Sequence, residues 1–295
     1  MRDVVICIPT YKRPQSLKRL LTAIAALKTA ANVTVLVADN DADGHAGFDL
    51  ANATAPAFRF PLRAVIAPQR GIAQVRNALI AEALQENSRF FAMIDDDEWP
   101  DAGWLDAFLR AAKQTGAGVL QGSILFHHPA QADIVRASGP TDMLQGAGNL
   151  LIRRDVLVGM AQPWFDPAFA LSGGEDRDFF VRLARAGVAF AWANEARCFG
   201  DVPESRASLY WMLARAYSIG NSDMRVLLKH HSGLGLRSME LGKIAAALLL
   251  TPPTALLLAA TPRRLQLLEK LFRALGKLAA LCGRHHQEYA VIHGK

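Results

Sequence analysis

Apolar and polar residues alternate along the first half of the chain in blocks. Asp3 to Ile8 reads Asp-Val-Val-Ile-Cys-Ile, the continuous apolar run of a strand buried on both faces. It gives way to Pro9-Thr10-Tyr11-Lys12-Arg13-Pro14, after which Leu17, Leu20, Leu21, Ile24 and Leu27 recur at helical spacing. Val33 to Ala38 predicts a second strand, running into the loop-forming Asp39-Asn40-Asp41-Ala42-Asp43-Gly44. Leu62 to Ala67 predicts a third, followed by a helix from Gly71 to about Leu84. A fourth, Phe90 to Ile94, enters Asp95-Asp96-Asp97-Glu98-Trp99 and stops at Pro100. Strands alternating with helices predict a parallel sheet of right-handed crossovers that binds ligands outside its carboxyl strand ends. Thr10 to Arg13, Asp39 and Asp95 to Glu98 fall at such ends, so three polar loops are expected to converge on one crevice.

Past a helix over Trp104 to Ala112 the rhythm changes. Val119 to Phe126 and Ala147 to Arg153 read as strands, joined by a long loop with His127, His128 and Pro129, a histidine pair that reads as solvated. Leu171-Ser172-Gly173-Gly174 leads into Glu175-Asp176-Arg177-Asp178 and then Phe179, Phe180 and Leu183, a helix whose first turn is acidic and whose later turns are apolar. Glu204 to Leu228 predicts an amphipathic helix packed on the domain before it. Ile244 to Ala260 carries no charge, but Pro252-Pro253 is expected to split it, which favours an in-plane or membrane-embedded helical hairpin over a span. From Arg263, the spacing of Leu265, Leu268, Leu271, Phe272, Leu275, Leu278 and Leu281 makes a basic amphipathic helix.

With 295 residues, 51% of them hydrophobic, the chain buries a substantial core and is not disordered. Its three cysteines, Cys7, Cys198 and Cys282, lie far apart without metal-ligand spacing, which favours a reducing compartment. The formal charge of +6 is uneven: residues 225–295 hold 11 Lys or Arg against 3 Glu, while residues 1–224 hold 22 against 24 acids. A basic tail meets nucleic acid or anionic lipid, and the wide apolar face with few aromatics favours lipid.

The acidic run carries the candidate chemistry. Four adjacent carboxylates repel one another and persist where a cation or hydrogen-bond donors neutralise them. Hard oxygens on a short loop suit Mg or Mn, completed by substrate phosphates. The plainer reading is a solvated turn in which Asp101 caps the next helix. Each neighbour has two readings as well. Arg13 and Arg76 are guanidinium partners for a diphosphate, or Arg76 is an exposed helix arginine. Asp39 accepts a hydrogen bond from a base edge, or caps its loop. An acidic helix start at Glu175 and Asp176 is otherwise ordinary capping chemistry.

Taken together, these motifs resemble glycosyltransferase family 2, the inverting nucleotide-sugar transferases of the GT-A fold, over roughly Asp3 to Asn221. Ile8-Pro9-Thr10-Tyr11-Lys12-Arg13 is similar to the family's first nucleotide loop, Val37-Ala38-Asp39-Asn40 to the segment whose acid recognises the base, and Gly71 to Asn77 to its diphosphate-side helix. Ile94-Asp95-Asp96-Asp97 resembles its DxD metal motif and Gly173-Gly174-Glu175-Asp176 the ED motif that carries the base. The resemblance implies an α/β fold with a Rossmann-like, mostly parallel sheet. It further implies Asp97 as main metal ligand, Asp95 on the ribose or sharing the metal, and Asp96 facing the donor sugar. Pro9, Thr10, Tyr11, Arg13, Asp39 and Arg76 would then bind the donor nucleotide. Asp176 becomes the catalytic base, with Glu175 orienting the acceptor or sharing that role. Many members place a histidine after the last sheet strand; here Ala196-Arg197-Cys198-Phe199-Gly200-Asp201-Val202-Pro203 has none, leaving Asp201 or water in its place. The stretch from Val202-Pro203-Glu204-Ser205-Arg206 to Gly220 resembles the bacterial exopolysaccharide branch.

The expectation is a catalytic domain over 1–224 and a membrane-associating helical tail over 225–295. Such a protein would move a hexose from a UDP-sugar to a lipid-linked or other saccharide acceptor, at an anionic membrane surface on the cytoplasmic face of a bacterial inner membrane. A sugar-nucleotide nucleotidyltransferase is the first alternative, although Pro9 to Pro14 lacks the glycine-rich loop of that class. A catalytically idle membrane adaptor of the same fold is the second.

Overall fold

The computed structural model describes residues 2–127, 131–201, 208–231, 233–257, 261 and 263–288. His128, Pro129, the 202–207 part of the exopolysaccharide-branch motif and the last three residues of the apolar run lie outside them. The chain forms two compact units, the first of residues 1–167 and 179–202 with the last two residues, the second of 168–178 and 203–293.

The first unit is built on one sheet. Strands β1 (Arg2–Thr10), β2 (Val33–Asp39), β3 (Leu62–Ile66) and β4 (Ser88–Met93) lie parallel in the order β3-β2-β1-β4. The chain leaves β1 toward β2 and β3 and comes back on the other side as β4, so the strand order reverses between β1 and β4. That reversal opens a crevice at the carboxyl ends of the two strands. Every residue of β2 is buried, the polar Thr34 and Asp39 included. Helix α1 (Pro14–Ala25) starts with proline in its first turn, where the missing N–H costs nothing, and buries Leu17, Leu20, Leu21 and Ile24. Helix α3 (Ile72–Ala83) crosses from β3 to β4. Helix α4 (Trp104–Thr115) buries Trp104, Leu105 and Phe108 and ends at Gly116, whose φ of 65° is a left-handed turn that suits glycine.

Beyond β4 the sheet turns mixed. Strand β8 (Leu150–Arg153) runs antiparallel between β4 and β6 (Val119–Phe126), and β6 lies parallel to β9 (Phe190–Gly200). Strands β5 (Glu98–Pro100) and β7 (Gly139–Thr141) are short antiparallel additions to β9. The acidic run therefore continues into a strand where the sequence suggested a stop: Pro100 is accepted because β5 lies at the sheet edge. Helices α2 (Ala46–Thr54) and α5 (Arg154–Val158) also went unread, being short and without a clear apolar stripe.

In the second unit, helix α7 (Leu209–His230) runs unbroken through position 224, so the domain boundary expected there falls inside a helix. Its described partner is α9 (Arg263–Leu281). A Cβ at Gly220 would lie 2.1 Å from the Arg273 carbonyl oxygen, and one at Gly276 2.0 Å from that of Tyr217, so both glycines are needed for backbones this close. Asn221 donates across the contact to the carbonyls of Gly276 (3.2 Å) and Arg284 (2.8 Å). Met224, Ile244, Ala274 and Ala280 form the core where α8 (Leu234–Leu257) joins them. Pro252 and Pro253 do not split this helix into a hairpin: both lie inside α8, which runs on through Leu257. Among the described residues no helix is long and apolar enough to cross a membrane.

Candidate active site

The four acids, in the turn between β4 and β5 and at the start of β5, alternate in burial. Asp95 and Asp97 keep 29% and 25% of their side-chain surface exposed, whereas Asp96 is closed off and Glu98 is buried. Asp96, expected to face the donor sugar, instead ties the β1 loop to the acidic run: Thr10 Oγ1 donates to its Oδ2 (2.7 Å) and Arg13 Nη2 lies 2.5 Å from its Oδ1. This bridge spans the reversal between β1 and β4. Arg13 also donates from Nη1 to Asp97 Oδ2 (2.6 Å). Burial works against the Arg13 charge, but Asp96 and Asp97 outweigh it and hold the guanidinium ionised. Burial pushes the Asp96 carboxyl up to about 7 despite Arg13, and it drives Glu98 well above the usual carboxylate range, with Asp95 and Asp97 adding to the effect.

Arg76 is not an exposed helix arginine. Its side chain, 5% exposed, reaches Asp95 Oδ1 (3.1 Å) and lies over the Phe165 ring at 5.6 Å. Asn77 fixes Phe165 by exchanging two backbone hydrogen bonds with it, at 2.7 and 2.8 Å. The first unit thus brings Thr10, Arg13, Arg76, Asp95, Asp96 and Asp97 together, and pairs three acids with two guanidiniums.

Asp39 takes the capping role. It has no exposed surface, and its carboxylate accepts from the backbone N–H groups of Asp41 (2.9 Å), Gly47 (2.8 Å) and Phe48 (2.9 Å). Through these bonds Asp39 shapes the loop that follows β2. Its neighbour Asn40, to which the sequence reading gave no separate role, organises the opposite wall: Nδ2 donates to the carbonyls of Ala67 (2.8 Å) and Gln69 (2.7 Å), and Oδ1 accepts from Gly71 N (2.7 Å). Gly71 has φ 133°, a conformation open to glycine. Tyr11, following β1, has Lys12 and Arg70 each 5.4 Å from its ring centroid. Pro9 pairs with Ala38 inside the sheet, so it is part of the strand, not the loop.

The ED motif opens helix α6 (Glu175–Arg185). Gly173 and Gly174 have φ of 75° and 92°, and a Cβ on Gly174 would come within 2.8 Å of Ser222 Cβ, which is why the approach is glycine. Glu175 is buried; Asp176 is half-buried and its Oδ1 accepts from Arg177 N (2.7 Å). Asp178 is fully buried, with Lys229 Nζ at 2.6 Å and His230 Nε2 at 2.7 Å on one oxygen. No sequence signal pointed to that pairing, because its partners lie about fifty residues on, in α7.

Among the described residues no group of three or more His, Cys, Asp or Glu side chains is arranged to hold a metal. Asp95 and Asp97 nevertheless present hard, partly exposed oxygens, which is the donor set of a cation bound by one or two carboxylates and completed by substrate phosphates and water. The residues fit Mg or Mn held in that manner and do not fit an all-protein cage. Asp201, suggested as a substitute for the absent histidine, is paired with Arg19.

Residues 5–161 match the model of Glycosyl transferase family 2. The chain belongs to this family. It is 32% identical over 272 residues to the succinoglycan biosynthesis protein ExoM of Rhizobium meliloti (strain 1021), covering 86% of this chain and 85% of that one. Crystal structures of S. aureus TarS 1–349 share the fold at low identity. The complex with UDP has TM-score 0.56 at 13% identity, covering 99% of this chain and 95% of that one. The complex with UDP-GlcNAc has TM-score 0.58 at 14% identity, covering 96% and 93%. This family 2 chain is thus a nucleotide-sugar-dependent glycosyltransferase with a GT-A-like α/β fold, and the nucleotidyltransferase and idle-adaptor readings lose their ground.

Proposed function

We propose that this glycosyltransferase moves a hexose from a UDP-sugar, with inversion, to a lipid-linked or other saccharide acceptor in bacterial polysaccharide assembly. The observation that carries the reading is the acidic loop at the β1/β4 reversal, held between Arg13 and Arg76. A bound nucleoside diphosphate finds two guanidiniums there for its phosphates and carboxylates for its metal. The S. aureus TarS complexes with UDP and UDP-GlcNAc support a uridine donor, and the succinoglycan relative supports a polysaccharide product.

Asp97, with Asp95 beside it, would hold Mg or Mn. The metal, when bound, neutralises charge building on the leaving diphosphate. Arg13 and Arg76 hold the same phosphates, and Tyr11 with the Asn40-fixed loop borders the nucleoside. Asp176, in the first turn of α6, removes the proton from the attacking acceptor hydroxyl as general base. Glu175 orients the acceptor.

The test is calorimetric binding of UDP, GDP and CDP with and without Mn, followed by hydrolysis of individual UDP-sugars. Mn-dependent UDP binding that GDP and CDP do not match is the expected result. A preference for GDP moves the donor class, and no binding of any nucleotide overturns the reading.

The site of action belongs to the same proposal: the cytoplasmic face of the inner membrane. Leu249, Leu250 and Leu256 on the outer side of α8 are 73%, 66% and 78% exposed, an apolar face of a kind that soluble monomers rarely leave to water. Arg263, Arg264, Lys270 and Arg273 of α9 are exposed in the same unit, which matches an anionic lipid surface. Vesicles containing phosphatidylglycerol should sediment the protein where phosphatidylcholine vesicles do not, and the double substitution Leu249→Ser, Leu250→Ser should release it. Sedimentation unaffected by that pair removes α8 from the proposal.

A further inference from the structure

The most acidic stretch of the chain already has its counter-charge. Arg13 precedes Pro14 at the start of α1, so its backbone is set by the helix entry, and its guanidinium lies between two carboxylates at 2.5 Å (Asp96 Oδ1) and 2.6 Å (Asp97 Oδ2). The two partners differ. Asp96 is closed to solvent and held from its other oxygen by Thr10, so it is a fixed anchor. Asp97 is 25% exposed, so an incoming cation can reach its carboxylate.

A divalent ion and a guanidinium cannot share Asp97 Oδ2. Metal–oxygen ligand distances of roughly 2.0–2.2 Å would put the ion against the Arg13 Nη1 proton, with two cations repelling at short range. We infer that Arg13 is a donor-operated latch on the metal site: it occupies Asp97 until a nucleoside diphosphate draws it away, so that cation and donor bind together. The phosphates offer the guanidinium a bidentate partner of higher charge than one carboxylate, and supply the oxygens that complete the cation's shell. While Arg13 turns to the phosphates, Asp96 keeps its guanidinium close. Arg13 is a positioning residue here, and the inference rests on the UDP-sugar reading of this site. It adds an order of events: without donor, Arg13 stays on Asp97 and the loop holds metal weakly.

Linkage gives the test. If donor and metal compete oppositely for Arg13, UDP must tighten Mn and Mn must tighten UDP by the same factor. Free Mn, counted by electron paramagnetic resonance as protein is titrated in, reads the first directly without turnover. For the native protein, UDP should tighten Mn binding by roughly a hundredfold, the order of coupling typical between linked sites. In Arg13→Gln, Mn without nucleotide should bind roughly tenfold tighter than to the native protein, since a neighbouring cation is gone, and the coupling factor should fall in proportion. Arg13→Lys, which keeps the charge but cannot fork between both carboxylates, should fall between the two and serves if the glutamine variant does not fold. Unchanged or weaker Mn binding by a folded Arg13→Gln, with UDP still binding, overturns the latch and leaves the enzyme reading intact. Failure of the native protein to bind UDP in saturating Mn overturns the reading beneath it.

Discussion

At the residue scale, neighbouring side chains of the same type perform different tasks because burial separates them. Asp97 is within reach of solvent and Asp96 is not, although they are adjacent. Asp97→Asn keeps the shape of the loop and removes a charge from the leaving-group side, so turnover should fall about 10²–10³-fold, measured as release of UDP, with the melting temperature little changed. Asp176→Asn should cost transfer about 10²–10⁴-fold while UDP binding by calorimetry stays within error of the native protein, because a base acts on the acceptor hydroxyl and not on the nucleotide. The thiols sort in the same way. Burial pushes Cys7 up to about 12 and Cys198 well above its usual range, while Cys282 is exposed. A thiol reagent near neutral pH should therefore modify one of the three cysteines in the folded protein and all three after unfolding. The acids themselves were plain in the sequence, since the apolar run ahead of them and the loop signals around them are local. Their division into partly exposed and buried carboxylates was not, because it depends on Thr10 and Arg13, more than eighty residues away in the chain.

At the element scale, predominantly apolar runs marked β1, β2, β4 and β6 well, since a strand buried on both faces is mostly apolar, with few polar residues such as Thr34 in β2 and Gln121 in β6. Elements held by others left weaker traces. Helix α2 is started by the Asp39 carboxylate from the preceding strand end, not by a cap of its own, and His45 at its start has a left-handed φ of 53°. Strand β5 exists because β9 offers an edge. The proline pair, a break signal in the sequence, lies inside α8. The α7–α9 contact depends on two small residues, which periodicity cannot show. Gly276→Val would place its Cβ about where the Tyr217 carbonyl oxygen now lies, 2.0 Å away, and should destabilise the second unit by about 3 kcal/mol or more, seen as an early transition in thermal unfolding that Ala274→Gly does not reproduce in size.

At the scale of the whole molecule, the sequence alone determined the α/β class, the family and the positions of the nucleotide, acidic and ED motifs, because each is written in contiguous residues whose spacing follows from strand and helix geometry. It also determined that the basic excess lies in the tail. The tertiary structure decided what needs two distant segments at once. It placed the acidic loop at the reversal between β1 and β4, paired Arg13 and Arg76 with particular carboxylates, and tied the Asp39 carboxylate to the backbone of the loop that follows it. It also moved the unit boundary away from the composition change near 225, putting 168–178 and all of α7 with the tail helices. Charge and hydropathy are sums over neighbours in the chain, whereas burial and ion pairing are set by neighbours in space, and in this protein the functional roles of the acids turn on the second.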